Sequence, residues 1–214
     1  RTAGMESLAL FDRFGDIAEV FGAEVTRLNF EPGTMADPAV VADKLRETSA
    51  VAVLVTHNET STGVTSDIAA VRRAIDAAKH PALLLVDTVS GLGCADFRHD
   101  DWGVDVAVSG SQKGLMMPPG ISFNALSPKA IAASKTATLP KAYWAWDEMI
   151  EMNKTGYFPY TPNTQLLYAL HEACDMMMGE GLDAIFARHE RLARACRAAV
   201  NAWGLPIQCA DANV

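Results

Sequence analysis

Two apolar runs near the middle of the chain end in polar residues. Residues 83–86 read LLLV and precede Asp87, and residues 104–108 read VDVAV and lead into the run SGSQK, which ends at Lys113. Apolar runs of this length with β-branched residues are typical of strands buried on both faces of a parallel sheet. Similar patterns predict three further strands, at residues 24–30, 50–56 and 121–126.

Apolar residues at helical spacing separate these strands. Asp37 followed by Pro38, and Ser127 followed by Pro128, are typical of helix starts. The strand at 50–56, the helix and the Asp87 strand form one right-handed βαβ unit, which brings residues 57–63 and Asp87 to one edge of the sheet. The pattern predicts an α/β fold with a mostly parallel sheet flanked by helices. The predicted helices cover residues 8–21, 37–47, 66–78 and 164–179, with others starting at residue 128 and after residue 181.

Asp87 and Lys113 each follow the carboxyl end of a predicted strand. In an open α/β sheet, ligands bind in the crevice beyond those ends, so two parallel strands bring both side chains to the same crevice. A carboxylate and an amine placed together suit pyridoxal phosphate. The amine forms a Schiff base with its aldehyde, and the carboxylate keeps the pyridine nitrogen protonated.

Three motifs in this order, HNETSTG, LLLVDTVSGLG and SGSQKGLMMPPG, resemble the class V aminotransferases, specifically the serine-glyoxylate and alanine-glyoxylate enzymes. The resemblance extends over nearly the whole chain. It implies the large domain of a fold-type I pyridoxal phosphate enzyme. It also implies that Lys113 is the Schiff-base lysine and that Asp87 is the partner of the pyridine nitrogen.

The resemblance assigns roles to five further residues. It implies that the Thr60 hydroxyl approaches the cofactor, that Val89 packs beneath the pyridine ring, and that Gln112 forms a hydrogen bond near the phenolic oxygen or phosphate. It also implies a homodimer with shared active sites, in which Thr161 and, less directly, Tyr160 contact the phosphate of the partner's cofactor.

His57 and Glu59 lie in the same polar motif as Thr60. They could form an acid–base pair, but the interpretation we favour is that they hold the shape of the loop through hydrogen bonds. The four cysteines are widely spaced and form no CxxC pair, so neither a metal site nor a disulfide is expected. Buried thiols in a reducing compartment, the cytoplasm, are the simpler interpretation.

The charge balance limits the class of partner. With 18 basic and 26 acidic residues, the formal net charge is -8, which favours a soluble protein and argues against nucleic acid. No apolar run approaches the roughly eighteen residues that span a bilayer, and no secretory signal is visible, so no membrane association is expected.

By resemblance, residues 1–203 are the large domain without its N-terminal part, and residues 204–214 begin a smaller C-terminal domain, with its first strand expected just before residue 210. The glycine-rich phosphate cradle is then expected before Arg1, and the arginine for the substrate carboxylate after Val214. We therefore expect the 214 residues alone to bind the cofactor poorly and to be inactive.

The expected function is transamination of a small amino acid, serine first and alanine second, with glyoxylate, a 2-oxo acid, as acceptor. Two alternatives stay open. One is another class V enzyme, namely a hydroxyaspartate or ureidoglycine aminotransferase or a cysteine desulfurase. The other is a catalytically inactive remnant that serves as a dimerisation module.

Overall fold

The computed structural model describes residues 5–9 and 12–209. Six strands form the main sheet, and a hairpin of two-residue strands follows β3. In chain order the strands are β1 (Met5–Ala9), β2 (Ala23–Arg27), β3 (Ala52–Thr56), β4 (Asn58–Glu59), β5 (Val64–Thr65), β6 (Leu83–Asp87), β7 (Val106–Gly110) and β8 (Ser122–Leu126).

The main sheet has the strand order β2-β1-β3-β6-β7-β8. Its first five strands are parallel, and β8 pairs antiparallel to β7. The register aligns Thr56 of β3 with Asp87 of β6, and Asp87 with Val108 of β7. The predicted α/β architecture with a mostly parallel sheet is therefore confirmed, and the predicted polar edge lies at the carboxyl ends of three adjacent strands.

Seven helices accompany the sheet within the described residues. Two of them start at the predicted caps: Asp37 and Ser127 each accept a hydrogen bond from a backbone N–H of the first helical turn. Asp67 caps the helix that follows it in the same way, and this cap was not predicted. The helices are α1 (Asp12–Val20), α2 (Pro38–Arg46), α3 (Ile68–Ala77), α4 (Pro128–Thr136), α5 (Trp146–Asn153), α6 (Thr164–Glu180) and α7 (Leu182–Ala202).

The predicted helix over residues 8–21 is wrong at its start. Residues 8 and 9 belong to β1, which pairs with both β2 and β3, and α1 begins only at Asp12. The apolar residues keep a helical spacing from β1 into α1, but the pairing of β1 with two other strands overrides this local pattern. Leu10 and Phe11 lie outside the described residues.

Two other differences concern the C-terminal half. Helix α5 was not predicted. A capping residue and an apolar face are the usual sequence signals of a helix, and α5 has no side-chain cap and no buried residue. Residues 205–209 form no strand, contrary to the strand expected where the smaller domain begins. The assignment of 204–214 to a second domain stays a prediction.

The main hydrophobic core lies between the sheet and helices α2 and α3. Alternate residues of β3 and β6 point into it, which is the period-2 arrangement of a strand packed against helices. The fully buried members include Val53, Val55, Leu84, Val86, Val41, Leu45, Ile68, Val71 and Ile75. None of the described helices is long and apolar enough to cross a membrane.

A buried carboxylate joins elements at the opposite end of the sheet from the polar edge. Asp105 is 4% exposed. Its Oδ2 accepts a hydrogen bond from the backbone N–H of Leu84 at 2.9 Å, and its Oδ1 accepts one from the Ser127 hydroxyl at 2.8 Å. Arg72 and Lys129 lie 3.8 and 3.7 Å from Oδ2. Asp105 therefore links β6, α3 and the start of α4.

We expect Asp105→Ala to lower the free energy of unfolding by about 2–4 kcal/mol, because it leaves the buried N–H of Leu84 without its acceptor and removes the carboxylate that lies between two cations. Denaturant unfolding of the full-length protein measures this loss. The matched control is Asp43→Ala, which removes an exposed ion pair with Arg46 and should cost less than about 0.5 kcal/mol. Equal losses in the two variants would contradict the structural role.

Candidate active site

A cavity of about 780 Å³ opens at the carboxyl ends of β3 and β6. Four residues singled out from the sequence line it together: Lys113, Asp87, Val89 and Thr60. Asn58, Ser61, Thr62 and Ser90 contribute hydroxyl and amide groups to the same wall, and Thr56, Arg13, Asn29 and Glu31 are among its other lining residues. The expected meeting of Asp87 and Lys113 in one crevice is therefore observed.

Asp87 is the last residue of β6 and is held by its own turn. Its Oδ1 accepts a hydrogen bond from the backbone N–H of Val89 at 2.8 Å. Within the described part of the chain, no group donates to Oδ2. One carboxylate oxygen thus fixes the side chain, and the other is left to meet a positively charged group in the cavity.

Lys113 lies in a tight turn between β7 and β8, and Ser111 fixes the base of that turn. Ser111 is 0% exposed; its hydroxyl donates to the Pro118 carbonyl at 2.7 Å and accepts from the Ile121 N–H at 3.3 Å. The Lys113 side chain itself is exposed. The turn is therefore rigid at its base and presents a mobile amine to the cavity.

The Lys113 turn packs directly on the turn that follows Asp87. A Cβ atom placed on Gly114 would lie 2.0 Å from the carbonyl oxygen of Leu92 and 3.0 Å from the Cys94 sulfur. Only glycine permits this approach of one backbone to the other. The contact sets the separation between the segments that carry Lys113 and Asp87.

Thr60 lies at the tip of the small hairpin formed by β4 and β5, and its side chain is exposed. Glu59 shapes this tip, because its Oε1 accepts hydrogen bonds from both the N–H (2.9 Å) and the hydroxyl (2.7 Å) of Ser61. This geometry supports the interpretation that Glu59 holds the loop.

His57 also has a structural position. It is 2% exposed, does not line the cavity, and packs against Phe97 and Trp102 with ring centroids 5.3 and 6.3 Å away. Its backbone N–H donates to the Asp87 carbonyl at 2.8 Å. A Cβ on Gly91 would lie 2.4 Å from its Nδ1, so the imidazole directly supports the turn after Asp87. An acid–base pair with Glu59 is not formed.

Burial lowers the pKa of His57 from its usual 6.5 to about 4, and the nearby charge of Asp96 only partly opposes this shift. The buried Nδ1 has no hydrogen-bond partner among the described residues, which also disfavours the charged ring. His57 is therefore a neutral support beneath the Asp87 turn at physiological pH.

Two sets of expected cofactor residues are not brought to the cavity. Gln112 does not line it: its amide lies over Gly110, where a Cβ would be 3.0 Å from Oε1. Tyr160 and Thr161 line a separate groove formed by residues 156–162, 164 and 167. Their cofactor roles stay predictions, and those of Tyr160 and Thr161 require the partner subunit.

Sequence reasoning missed Asn58, Ser90 and Ser111 as site-forming residues. Each is a small polar residue next to a residue that was singled out from the sequence. This proximity along the chain was the only signal that could have found them. No group of three or more His, Cys, Asp or Glu residues in the described ranges could hold a metal ion.

The expectation of buried thiols is wrong. Cys174 on α6 and Cys196 on α7 are exposed, and Cys94 and Cys209 are only partly buried, because the two helical cysteines lie on solvent-facing sides of their helices.

A parallel α/β sheet with a lysine and an aspartate at one cavity defines a candidate cofactor-dependent enzyme of the pyridoxal phosphate class. The family model for class-V aminotransferases matches residues 2–207. The chain belongs to this family, which the resemblance in its three motifs indicated, and its cofactor is accordingly pyridoxal phosphate.

Characterised relatives agree with this assignment. The chain is 49% identical over 210 residues to the serine–glyoxylate aminotransferase of Hyphomicrobium methylovorum, covering 92% of this chain and 52% of the relative. It is 48% identical over 200 residues to the L-aspartate–glyoxylate aminotransferase of Paracoccus denitrificans, covering 91% and 50%.

Solved structures share the fold. The pyridoxamine-pyruvate aminotransferase of Mesorhizobium loti superposes with a TM-score of 0.88 at 29% identity, covering 99% of this chain and 55% of that one. The chain thus spans about half the length of the relatives that it matches.

We expect protonation of His57 to destabilise the protein in acid. The unfolded histidine takes up a proton near pH 6.5 and the folded one only near 4, so stability is fully present above the unfolded pKa and falls by up to about 3 kcal/mol as the pH drops through this window. Unfolding free energies measured between these pH values test this, with His57→Phe as the variant that keeps a ring but cannot titrate. The difference in pH slope between the two proteins isolates His57, and identical slopes would contradict the prediction.

Proposed function

We propose that the full-length protein containing this chain transaminates a small amino acid, serine or alanine, with glyoxylate as the acceptor. One observation carries the proposal: Asp87 and Lys113 line one cavity at the carboxyl ends of parallel strands. The two residues are 26 positions apart in the sequence. Bound pyridoxal phosphate would supply the electron sink that lets a proton leave the substrate Cα.

Lys113 has two tasks in this proposal. Its Nζ would hold the cofactor covalently, and the same amine would act as the general base for the proton at the substrate Cα. The structure suits both tasks because the amine is on an exposed side chain while the turn that carries it is fixed through Ser111.

Asp87, Val89 and Thr60 bind and orient the cofactor. The Oδ2 of Asp87 meets the pyridinium N–H, while its Oδ1 stays bound to the Val89 amide. Val89 packs under the ring, and the Thr60 hydroxyl donates to a cofactor oxygen. In the proposed bound state, Gln112 turns from Gly110 toward the phenolic oxygen or the phosphate.

The proposed active protein is a homodimer in which each subunit completes the other's site. Tyr160 and Thr161 support this, because they lie in their own groove, away from the Lys113 cavity. Exposed aromatic side chains surround them: Tyr143 is 57% and Tyr157 69% exposed. Burial of these rings against a second subunit would remove apolar surface from water.

The amino donor is the least constrained part of the proposal. Relatives named for serine and for L-aspartate match this chain at 49% and 48% identity. An aspartate-type donor is thus the second candidate, favoured by the second relative. We also propose a cytoplasmic protein, because Cys94, Cys174 and Cys196 carry free thiols.

We expect Lys113→Ala in the full-length protein to abolish the visible absorbance of the lysine-bound cofactor and to lower serine–glyoxylate transamination by at least about 10²-fold, the usual contribution of a general base. Asp87→Asn should keep the hydrogen bond to Val89 but lose the negative charge, and should lower the rate by about 10²-fold or more. Absorbance spectra and coupled assays measure both effects.

The matched control for the lysine is Lys135→Ala, which removes an exposed lysine from the last turn of α4 and should leave the spectrum unchanged. Retention of the visible band in Lys113→Ala would sink the lysine assignment. Absence of the band from folded, cofactor-soaked wild-type protein would favour an inactive remnant that acts as a dimerisation module.

Mixing two inactive variants tests the shared site. Lys113→Ala and Thr161→Ala damage the same site from different subunits, so a heterodimer of the two contains one intact site. Unfolding and refolding an equal mixture should restore about a quarter of wild-type activity, since half the dimers are heterodimers. No recovery above the sum of the separately refolded variants would argue that each subunit forms its own complete site.

A further inference from the structure

A serine hydroxyl connects the two segments that carry the expected cofactor contacts. The Ser90 hydroxyl donates to the backbone carbonyl of Asn58 at 2.7 Å and lies 3.2 Å from the Asn58 Oδ1. The Asn58 amide in turn donates to the Thr65 hydroxyl at 2.9 Å. Ser90 and Asn58 are both partly buried and both line the Lys113 cavity.

The hairpin that presents Thr60 has little structure of its own. Strands β4 and β5 are two residues long and pair only through Asn58 with Thr65 and Glu59 with Val64. So short a hairpin is not stable in water without outside contacts. Its returning strand is anchored by Val64, which is 1% exposed. The outgoing strand starts beside the buried His57, whose N–H donates to the Asp87 carbonyl, and Ser90 holds the next residue toward Thr60, Asn58.

Ser90 lies in the turn that carries Asp87 and Val89. The backbone of this turn is fixed from below by His57, whose N–H donates to the Asp87 carbonyl. The Ser90 hydroxyl therefore joins a rigid segment to a weakly structured one, and both line the cavity.

We propose that Ser90 is a positioning residue for cofactor binding: its hydroxyl holds the β4–β5 hairpin against the Asp87 turn, so that Thr60 is pre-organised before the cofactor arrives. This inference rests on the proposed function. Because the hydrogen bond lies at the cavity wall, water can replace it in a variant. Its loss should loosen the hairpin without unfolding the domain.

The experiment measures pyridoxal phosphate binding to the full-length apo-protein by equilibrium dialysis. Ser90→Ala should raise the dissociation constant about fivefold, the equivalent of one ordinary hydrogen bond. Ser90→Thr keeps the hydroxyl and should stay within about twofold of wild type. The matched control is Ser134→Ala, whose partly buried hydroxyl donates to the Ile131 carbonyl within α4, away from the cavity, and which should also stay within about twofold.

A double-mutant cycle with Thr60→Val asks whether Ser90 acts through Thr60. If it does, Ser90→Ala should raise the dissociation constant by less than about twofold in the Thr60→Val background, because the hydroxyl that Ser90 would position is then absent. Full additivity of the two effects would overturn the proposed route.

Hydrogen exchange of the apo-proteins separates local from general effects. Amides of residues 58–65 should exchange several-fold faster in Ser90→Ala than in wild type, while those of β3 and β6 keep their protection. Faster exchange throughout the sheet would indicate a purely structural role and overturn the proposal.

Failure of this inference is distinguishable from failure of the proposed function. If wild type binds pyridoxal phosphate and Ser90→Ala binds it equally well, or Ser134→Ala weakens binding as much as Ser90→Ala does, Ser90 has no special positioning role and the proposed function stands. If folded wild type binds no pyridoxal phosphate at all, the proposed function fails, and this inference fails with it.

Discussion

The alignment of three parallel strands at one edge is the constraint on which the candidate site depends. The register sets Thr56, Asp87 and Val108 side by side at the carboxyl ends of β3, β6 and β7. Each strand then leaves the sheet in a turn, and these turns carry Thr60, Val89 and Lys113 to a common cavity. A change of register by one residue would point Asp87 into the core formed with α2 and α3.

Close backbone contacts convert this alignment into a defined geometry. Gly114 packs on the Leu92 carbonyl, Gly91 packs on the His57 ring, and the buried Ser111 holds the base of the lysine turn. At both glycines a Cβ would meet an atom at 2.4 Å or less. The atoms around Asp87 are thus fixed by the packing of the protein, while the Lys113 side chain is exposed at the cavity.

The two ends of the sheet have different roles. At the end of the sheet opposite the cavity, the buried Asp105 carboxylate joins β6, α3 and α4 through hydrogen bonds and an ion pair. At the cavity end, Asp87 keeps one oxygen without a donor among the described residues, and Thr60 depends on a marginal hairpin. The Asp105 network thus joins elements away from the cavity, whereas the hairpin that carries Thr60 has little structure of its own, as is common for binding loops.

The local sequence determined the strand and helix types, the caps at Asp37 and Ser127, and the positions of Asp87 and Lys113, because apolar runs and capping residues are short-range signals. The motifs determined the family. Tertiary structure decided that residues 8 and 9 form a strand, because β1 depends on pairing with both β2 and β3. It also decided that Ser90 reaches Asn58 and that His57 lies under Gly91. Contacts between residues some thirty positions apart depend on how the turns pack in three dimensions, and no local pattern in the sequence encodes them.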